Sequence, residues 1–266
     1  MITGTTRLYA IIGDPVAHVR TPIVFNEYFG AHGIDAVCVA IHIGRDELEQ
    51  GWAGLKAIRN LDGFIVTAPY KAECAALCDR LVDDGAHTKV VNTVRREADG
   101  TYTGTLLDGR GFAAGLRNFG YEVQGKSVYI AGAGGAGTAL AYALAGSGVA
   151  NLTIHNRTRS KAEALVKDVA KAFPRCRVCL GTSDASGHDF AVNATSLGLK
   201  GDDPHSFDLA SVDNSAIVAE VVMKPQMTPL LAAAKDRGHR IHFGTHMLDG
   251  QRDMMMDFFG LGMPRA

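Results

Sequence analysis

The chain is patterned as short apolar runs closed by turn residues, alternating with stretches whose apolar residues recur at helical spacing. Leu8-Tyr9-Ala10-Ile11-Ile12 is a run of strand length, closed by Gly13-Asp14-Pro15. A helix is predicted to start at Thr21-Pro22, with Thr21 as cap and proline at the first helical position, and to end within Gly30–Gly33. Ala36–Ile41 reads as a second strand. From Asp46 to Ile58, Leu48, Trp52, Leu55 and Ile58 fall on one side of a helix. Phe64-Ile65-Val66 is a third strand, stopped at Thr67-Ala68-Pro69, and a helix follows through Ala76. Val90–Val94 and Tyr102–Leu106 bracket Asp99-Gly100, a hairpin signal.

The second part of the chain repeats the alternation with a sharper signature. Ser127–Ala131 is an apolar strand, then comes Gly132-Ala133-Gly134-Gly135-Ala136-Gly137, then an Ala-rich helix. Glycines at the first, third and sixth positions permit a tight turn, backbone approach to a pyrophosphate, and close packing of helix on strand. The N–H groups at the helix start favour phosphate. Glycines alone also serve plain turns, but the strand–helix context points to a dinucleotide site. Further strands are predicted at Leu152–His155, Phe190–Val192 and Ile217–Ala219, and a last helix over Met247–Phe259.

The residues after the second strand of this part select the cofactor. NAD-binding folds usually place an acid about twenty residues after the glycines, on the ribose hydroxyls. This chain has Asn156-Arg157-Thr158-Arg159-Ser160-Lys161 there. A carboxylate would repel a 2′-phosphate, whereas an arginine grips one bidentately. Arg157, Arg159 and Lys161 therefore point to NADP. The bland alternative is a solvated basic helix start, capped by Thr158 or Ser160.

Composition narrows the field further. The chain has 266 residues with a formal net charge of −1, so nothing points to nucleic acid or an anionic membrane as partner. It holds no apolar stretch of the roughly eighteen residues a membrane span needs. The first seven residues show no secretory h-region, and the five cysteines are an odd count; both suit reduced thiols in a cytoplasm. Cys176-Arg177-Val178-Cys179 has C-x-x-C spacing without a second pair and reads as strand packing. The ten histidines form no metal-ligand motif, and no metal is expected.

Motif order then suggests a family. Ile12-Gly13-Asp14-Pro15-Val16-Ala17-His18, Val66-Thr67-Ala68-Pro69-Tyr70-Lys71, Val91-Asn92-Thr93 and Asp108 with Gly111-Phe112 come first. The glycine loop, Asn156-Arg157-Thr158, Asn193–Gly198, Lys224-Pro225 with Thr228–Leu231, and Gly244 with Met247-Leu248 and Gln251 come after them. In this order and spacing the chain resembles shikimate dehydrogenases over essentially its whole length. The resemblance implies an α/β protein of two parts: an N-terminal α/β substrate domain, residues 1–105 and 244–266, and a Rossmann-like NADP-binding domain, 106–243. The C-terminal helix would return to the substrate domain.

The resemblance also implies site residues. Lys71 and Asp108 correspond to the family's catalytic pair. By residue type alone, Lys71 is a surface lysine in a first helical turn and Asp108 a helix cap. Thr21, Thr67, Asn92 and Gln251 correspond to substrate contacts. Gly132, Ala133, Gly134, Gly135, Ala136, Asn156, Arg157, Thr158, Lys161, Thr195, Ser196, Leu197, Gly244 and Met247 correspond to the cofactor site. The implied activity is NADP-dependent reduction of 3-dehydroshikimate to shikimate, and its reverse.

Departures from the family pattern bear on the substrate. Val19 and Thr21 stand where two serines are usual, Ile65 where an asparagine is, Leu106 and Leu107 before Asp108, and Met223 where a tyrosine is. The serines and tyrosine resemble a grip on a substrate carboxylate. Two alternatives therefore stay open: a dehydrogenase for quinate, an amino analogue or another cyclic alcohol, and a cofactor-binding sensor without turnover.

Overall fold

The computed structural model describes residues 1–17 and 19–262, with the backbone alone at Asp249. His18, the last residue of the first family motif, lies outside the described residues. The chain divides into two units, Met1–Leu107 with Arg252–Ala266, and Asp108–Gln251.

The first unit contains β1 (Arg7–Gly13), α1 (Thr21–Ala31), β2 (Ala36–His42), α2 (Leu48–Ala57), β3 (Leu61–Val66), α3 (Lys71–Leu77), β4 (Arg80–Leu81), α4 (Asp83–Thr88), β5 (Thr93–Arg96) and β6 (Tyr102–Thr105). Its sheet has the order β2-β1-β3-β5-β6-β4. β1 runs parallel to both β2 and β3, and β5 and β6 form the antiparallel hairpin read from Asp99-Gly100.

Strand pleating explains why β1 reads as one continuous apolar run. Ala10 and Ile12 face a core with Trp52, Leu55, Phe64 and Tyr70. Tyr9 and Ile11 face the opposite core, with Phe25 and Phe29 of α1 and with Met255, Met256 and Phe259. Those last residues belong to α9 (His246–Phe259), so the C-terminal helix does contribute to this unit. Thr21 is the first residue of α1 rather than its cap: Arg20 precedes it and no side chain caps the turn.

The second unit contains α5 (Asp108–Asn118), β7 (Ser127–Ala131), α6 (Gly135–Gly146), β8 (Asn151–His155), α7 (Arg159–Ala172), β9 (Arg177–Leu180), β10 (Phe190–Asn193), β11 (Ile217–Glu220), α8 (Pro229–Asp236), β12 (Arg240–His242) and the first turns of α9. Its six strands are ordered β12-β11-β10-β7-β8-β9, and every pairing is parallel. This is the doubly wound order in which the direction of winding reverses beside the first strand. Val128 and Ile130 of β7 face a core with Phe112, Leu140, Leu144 and Leu165. Tyr129 and Ala131 face the other, with Leu230 and Leu231 of α8. Among the described residues no helix is long and apolar enough to cross a membrane.

Candidate active site

In the second unit the loops at the carboxyl edge of the sheet carry the residues that the resemblance assigns to the cofactor. Gly132 leaves β7 with φ +118°, a backbone that suits glycine, and a Cβ there would also press on the Ala194 carbonyl. A Cβ on Gly137 would overlap the Gly132 carbonyl oxygen, so α6 packs onto the turn only because Gly137 has none. At Gly134 and Gly135 a Cβ would meet nothing within 4 Å. The three glycine roles are thus separated in space: one bends, one packs, and the middle ones leave room for a phosphate beside the N-terminus of α6. These residues fit a dinucleotide.

Asn156 ties this turn to the next. Its Oδ1 accepts from the Ala133 N–H at 3.1 Å and its Nδ2 donates to the Thr158 carbonyl at 2.9 Å. Arg157 and Lys161 are exposed. Arg159 pairs with Glu163 one helical turn on, at 2.9 Å. Arg157 has no ion-pair partner among the described residues, which leaves it the arginine best placed for an incoming anion. Thr158 precedes α7 but makes no side-chain cap.

On the other side of β7, the turn after β10 is knitted by one side chain. Asn193 Oδ1 accepts from the Thr195 N–H and Oγ1–H at 3.0 and 2.7 Å, and its Nδ2 donates to the Leu197 carbonyl at 2.9 Å. Ser196 is exposed at the tip. Asp203 closes the turn by accepting from the Gly198 and Lys200 N–H groups, and these bonds hold its carboxyl below its ordinary range. Gly244 lies against the Val221–Val222 backbone, and Met247 is buried in the core with Phe112 and Leu116.

Asp108 is the first residue of α5 and is partly exposed. Its Oδ1 accepts from Nε2 of the buried Gln251 at 2.9 Å. The resemblance assigns Gln251 to substrate; in the structure its amide nitrogen donates to the Asp108 carboxylate.

In the first unit, Lys71 opens α3 and its carbonyl accepts from the Val91 N–H at 2.9 Å. Thr67 leaves β3 with its N–H on the Ile12 carbonyl at 3.0 Å. Asn92 is buried, and its Oδ1 accepts from the Leu107 N–H at 2.9 Å and from Thr93 Oγ1–H at 3.0 Å. Thr21 sits at the start of α1. The neighbouring Tyr70 donates its hydroxyl to the Ile43 carbonyl at 2.6 Å and is buried, so it serves the fold. Val19 packs against the cluster of Ile11, Ile65 and Leu107.

Cys176 is buried in the second core and burial pushes its thiol up, which fits packing. Sequence reasoning did not find Glu220, the buried acid that ends β11 and touches Asn193. Its signal was there: a carboxylate closing an otherwise apolar strand.

Comparison with known proteins agrees with this layout. Residues 11–94 match the shikimate dehydrogenase substrate binding domain, and residues 114–186 match shikimate / quinate 5-dehydrogenase. Over 241 residues the chain is 38% identical to a shikimate dehydrogenase (NADP(+)) of Rubrobacter xylanophilus, covering 89% of this chain and 84% of that protein. A shikimate 5-dehydrogenase of Listeria monocytogenes, solved with shikimate and NAD, superposes with TM-score 0.89 at 30% identity over 99% of this chain and 95% of that one. A 5-ketofructose reductase of Gluconobacter superposes with TM-score 0.87 at 28% identity, over 96% and 92%. With its two family segments, its glycine turn and its Lys71 and Asp108 motifs in order, the chain belongs to the shikimate dehydrogenase family.

Proposed function

We propose that this chain is an NADP(H)-dependent shikimate dehydrogenase that interconverts 3-dehydroshikimate and shikimate. The observation that carries the reading is that Lys71, Asp108 and the glycine turn are all kept in a chain similar to shikimate dehydrogenases (NADP(+)) over most of its length. Oxidising a secondary alcohol takes a hydride from carbon and a proton from oxygen. NADP+, when bound, accepts the hydride. Lys71 is the group that takes the proton from oxygen, and Asp108, held by Gln251, is the carboxylate that orients the exchange. Thr21, Thr67, Asn92 and Gln251 supply polar contacts to the substrate. The Gly132–Gly137 turn, Asn156, Arg157, Thr158 and Lys161 hold the adenosine phosphates. The 195–197 turn, Gly244 and Met247 complete the cofactor site. The free thiols of all five cysteines suit a cytoplasmic setting.

A second reading is favoured by Val19. It packs against an apolar cluster that holds Ile65 and Leu107, and all three stand where the family pattern is polar. A less polar cyclic alcohol, without a carboxylate, would accept such a surface more readily than a carboxylate would. NADPH formation with shikimate, quinate and a panel of neutral cyclic alcohols separates the readings. Highest kcat/KM with shikimate supports the first, and turnover confined to neutral cyclic alcohols supports the second. Tight NADPH binding with no turnover on any of them would leave the sensor.

A further inference from the structure

We propose that Glu220 is a positioning residue for the nicotinamide half of the dinucleotide, acting through Asn193 on the turn 194–198. The inference rests on the dinucleotide reading above and extends it to a residue that reading does not use.

Glu220 ends β11 with none of its surface exposed. Among the described residues no lysine or arginine pairs with it. Burial lifts its carboxyl above the ordinary range, while Thr228 and Asn193 pull the other way. A buried acid without a cation is costly to keep. Its neighbour shows what it does. Asn193 Nδ2 lies 3.3 Å from Glu220 Oε2, and the same nitrogen donates to the Leu197 carbonyl. An acceptor at 220 therefore joins the Leu197 carbonyl in setting which way the Asn193 amide points. Nitrogen faces Glu220 and Leu197, and oxygen faces the Thr195 N–H and hydroxyl. A flipped amide would set oxygen against two acceptors and leave Thr195 facing a donor. Thr195 Oγ1 in turn accepts from the Leu197 N–H at 3.0 Å. The whole turn is keyed to one amide, and Glu220 is the buried acceptor behind that amide.

The sheet says which half of the dinucleotide meets this turn. Arg157 stands at the end of β8, on one side of β7; the 194–198 turn comes after β10, on the other side. A dinucleotide crosses the carboxyl edge where the winding reverses. With its 2′-phosphate at Arg157, its nicotinamide half falls on the β10 side.

The test compares NADPH with 2′,5′-ADP, which carries the 2′-phosphate but no nicotinamide. Dissociation constants are measured by calorimetry on the full chain, with thermal unfolding as the check on folding. Glu220→Ala should weaken NADPH roughly tenfold or more and leave 2′,5′-ADP within about twofold. Glu220→Gln keeps an acceptor and should restore NADPH to within about threefold of the original chain. If Glu220→Ala does not fold, Glu220→Asp, which withdraws the acceptor by one methylene, is judged by the same contrast. Equal weakening of both ligands, unchanged NADPH binding in a folded variant, or a Gln variant as weak as the Ala or Asp variant would each overturn the proposal. An unsubstituted chain that binds neither ligand would instead refute the dinucleotide reading on which it rests.

Discussion

Nε2 of Gln251 donates a 2.9 Å hydrogen bond to Oδ1 of Asp108, across 143 positions of sequence. Gln251 is buried and Asp108 only partly so, which makes the amide the fixed member of the pair. A hydrogen bond to a charged group contributes about 1.5–3 kcal/mol. Gln251→Ala should therefore lower kcat by roughly ten- to a hundredfold, with the dissociation constant for NADP+ unchanged. A substrate contact alone would raise KM for shikimate and spare kcat. Steady-state kinetics with the variant separates the two, and an unchanged kcat would remove the orienting role.

Lys71 and Asp108 are the residues on which turnover should depend most. General acid–base groups typically contribute about 10²–10⁴-fold. Lys71→Ala and Asp108→Asn should each lower kcat by at least about a hundredfold, and the double variant should be little worse than the worse single one. A folded Lys71→Ala protein with near-normal kcat would mean that another group carries the proton.

Arg157 and Arg159 are two residues apart and have different surroundings. Arg159 is paired with Glu163, whereas Arg157 has no such partner among the described residues. Arg157→Ala should raise KM for NADP+ by roughly tenfold or more and barely change that for NAD+. Arg159→Ala should have little effect on either. Equal effects of the two substitutions, or faster turnover with NAD+ in the original chain, would count against the 2′-phosphate assignment.

The glycine turn allows stability and binding to be separated. A methyl at Gly137 collides with the Gly132 carbonyl, while one at Gly134 meets no protein atom within 4 Å. Gly137→Ala should lower Tm and weaken NADPH together. Gly134→Ala should leave Tm within about 2 °C and weaken NADPH, because its methyl occupies the approach to the pyrophosphate. Calorimetry and thermal unfolding of both variants check this; unchanged NADPH affinity in Gly134→Ala would place the phosphates elsewhere.

His242 gives the second unit an acid-sensitive point. It is fully buried among Phe112, Phe119 and Tyr121, with its Nδ1 3.2 Å from that of His246. Burial, and then His246, lower its pKa from 6.5 to about 4. The folded form therefore keeps the ring neutral where the unfolded chain protonates it. Its contribution to stability is complete above pH 6.5 and is lost as pH falls towards 4, by at most about 1.4 kcal/mol per pH unit. Denaturant unfolding across this range should show the slope, and His242→Phe, which fills the space without titrating, should flatten it. An equal slope in the variant would assign the acid sensitivity to other groups.

What the sequence determined by itself is what local spacing can carry. The alternation of Tyr9, Ala10, Ile11 and Ile12 makes β1 a strand buried on both faces, whatever covers it. Six glycine-rich positions between an apolar strand and an Ala-rich run set a tight strand–turn–helix, because the constraint lies within the segment. Asp99-Gly100 set the hairpin for the same reason. The short β4, α4 and β12 have no such local signal and form because neighbours pair with them or cover them.

The tertiary structure decided the partners. Nothing near Gln251 in sequence says that its amide meets Asp108, and nothing near Glu220 says that it meets Asn193. Hydrogen bonds and burial depend on separations of a few ångströms between residues far apart in the chain. Only the packed sheets and helices fix those separations.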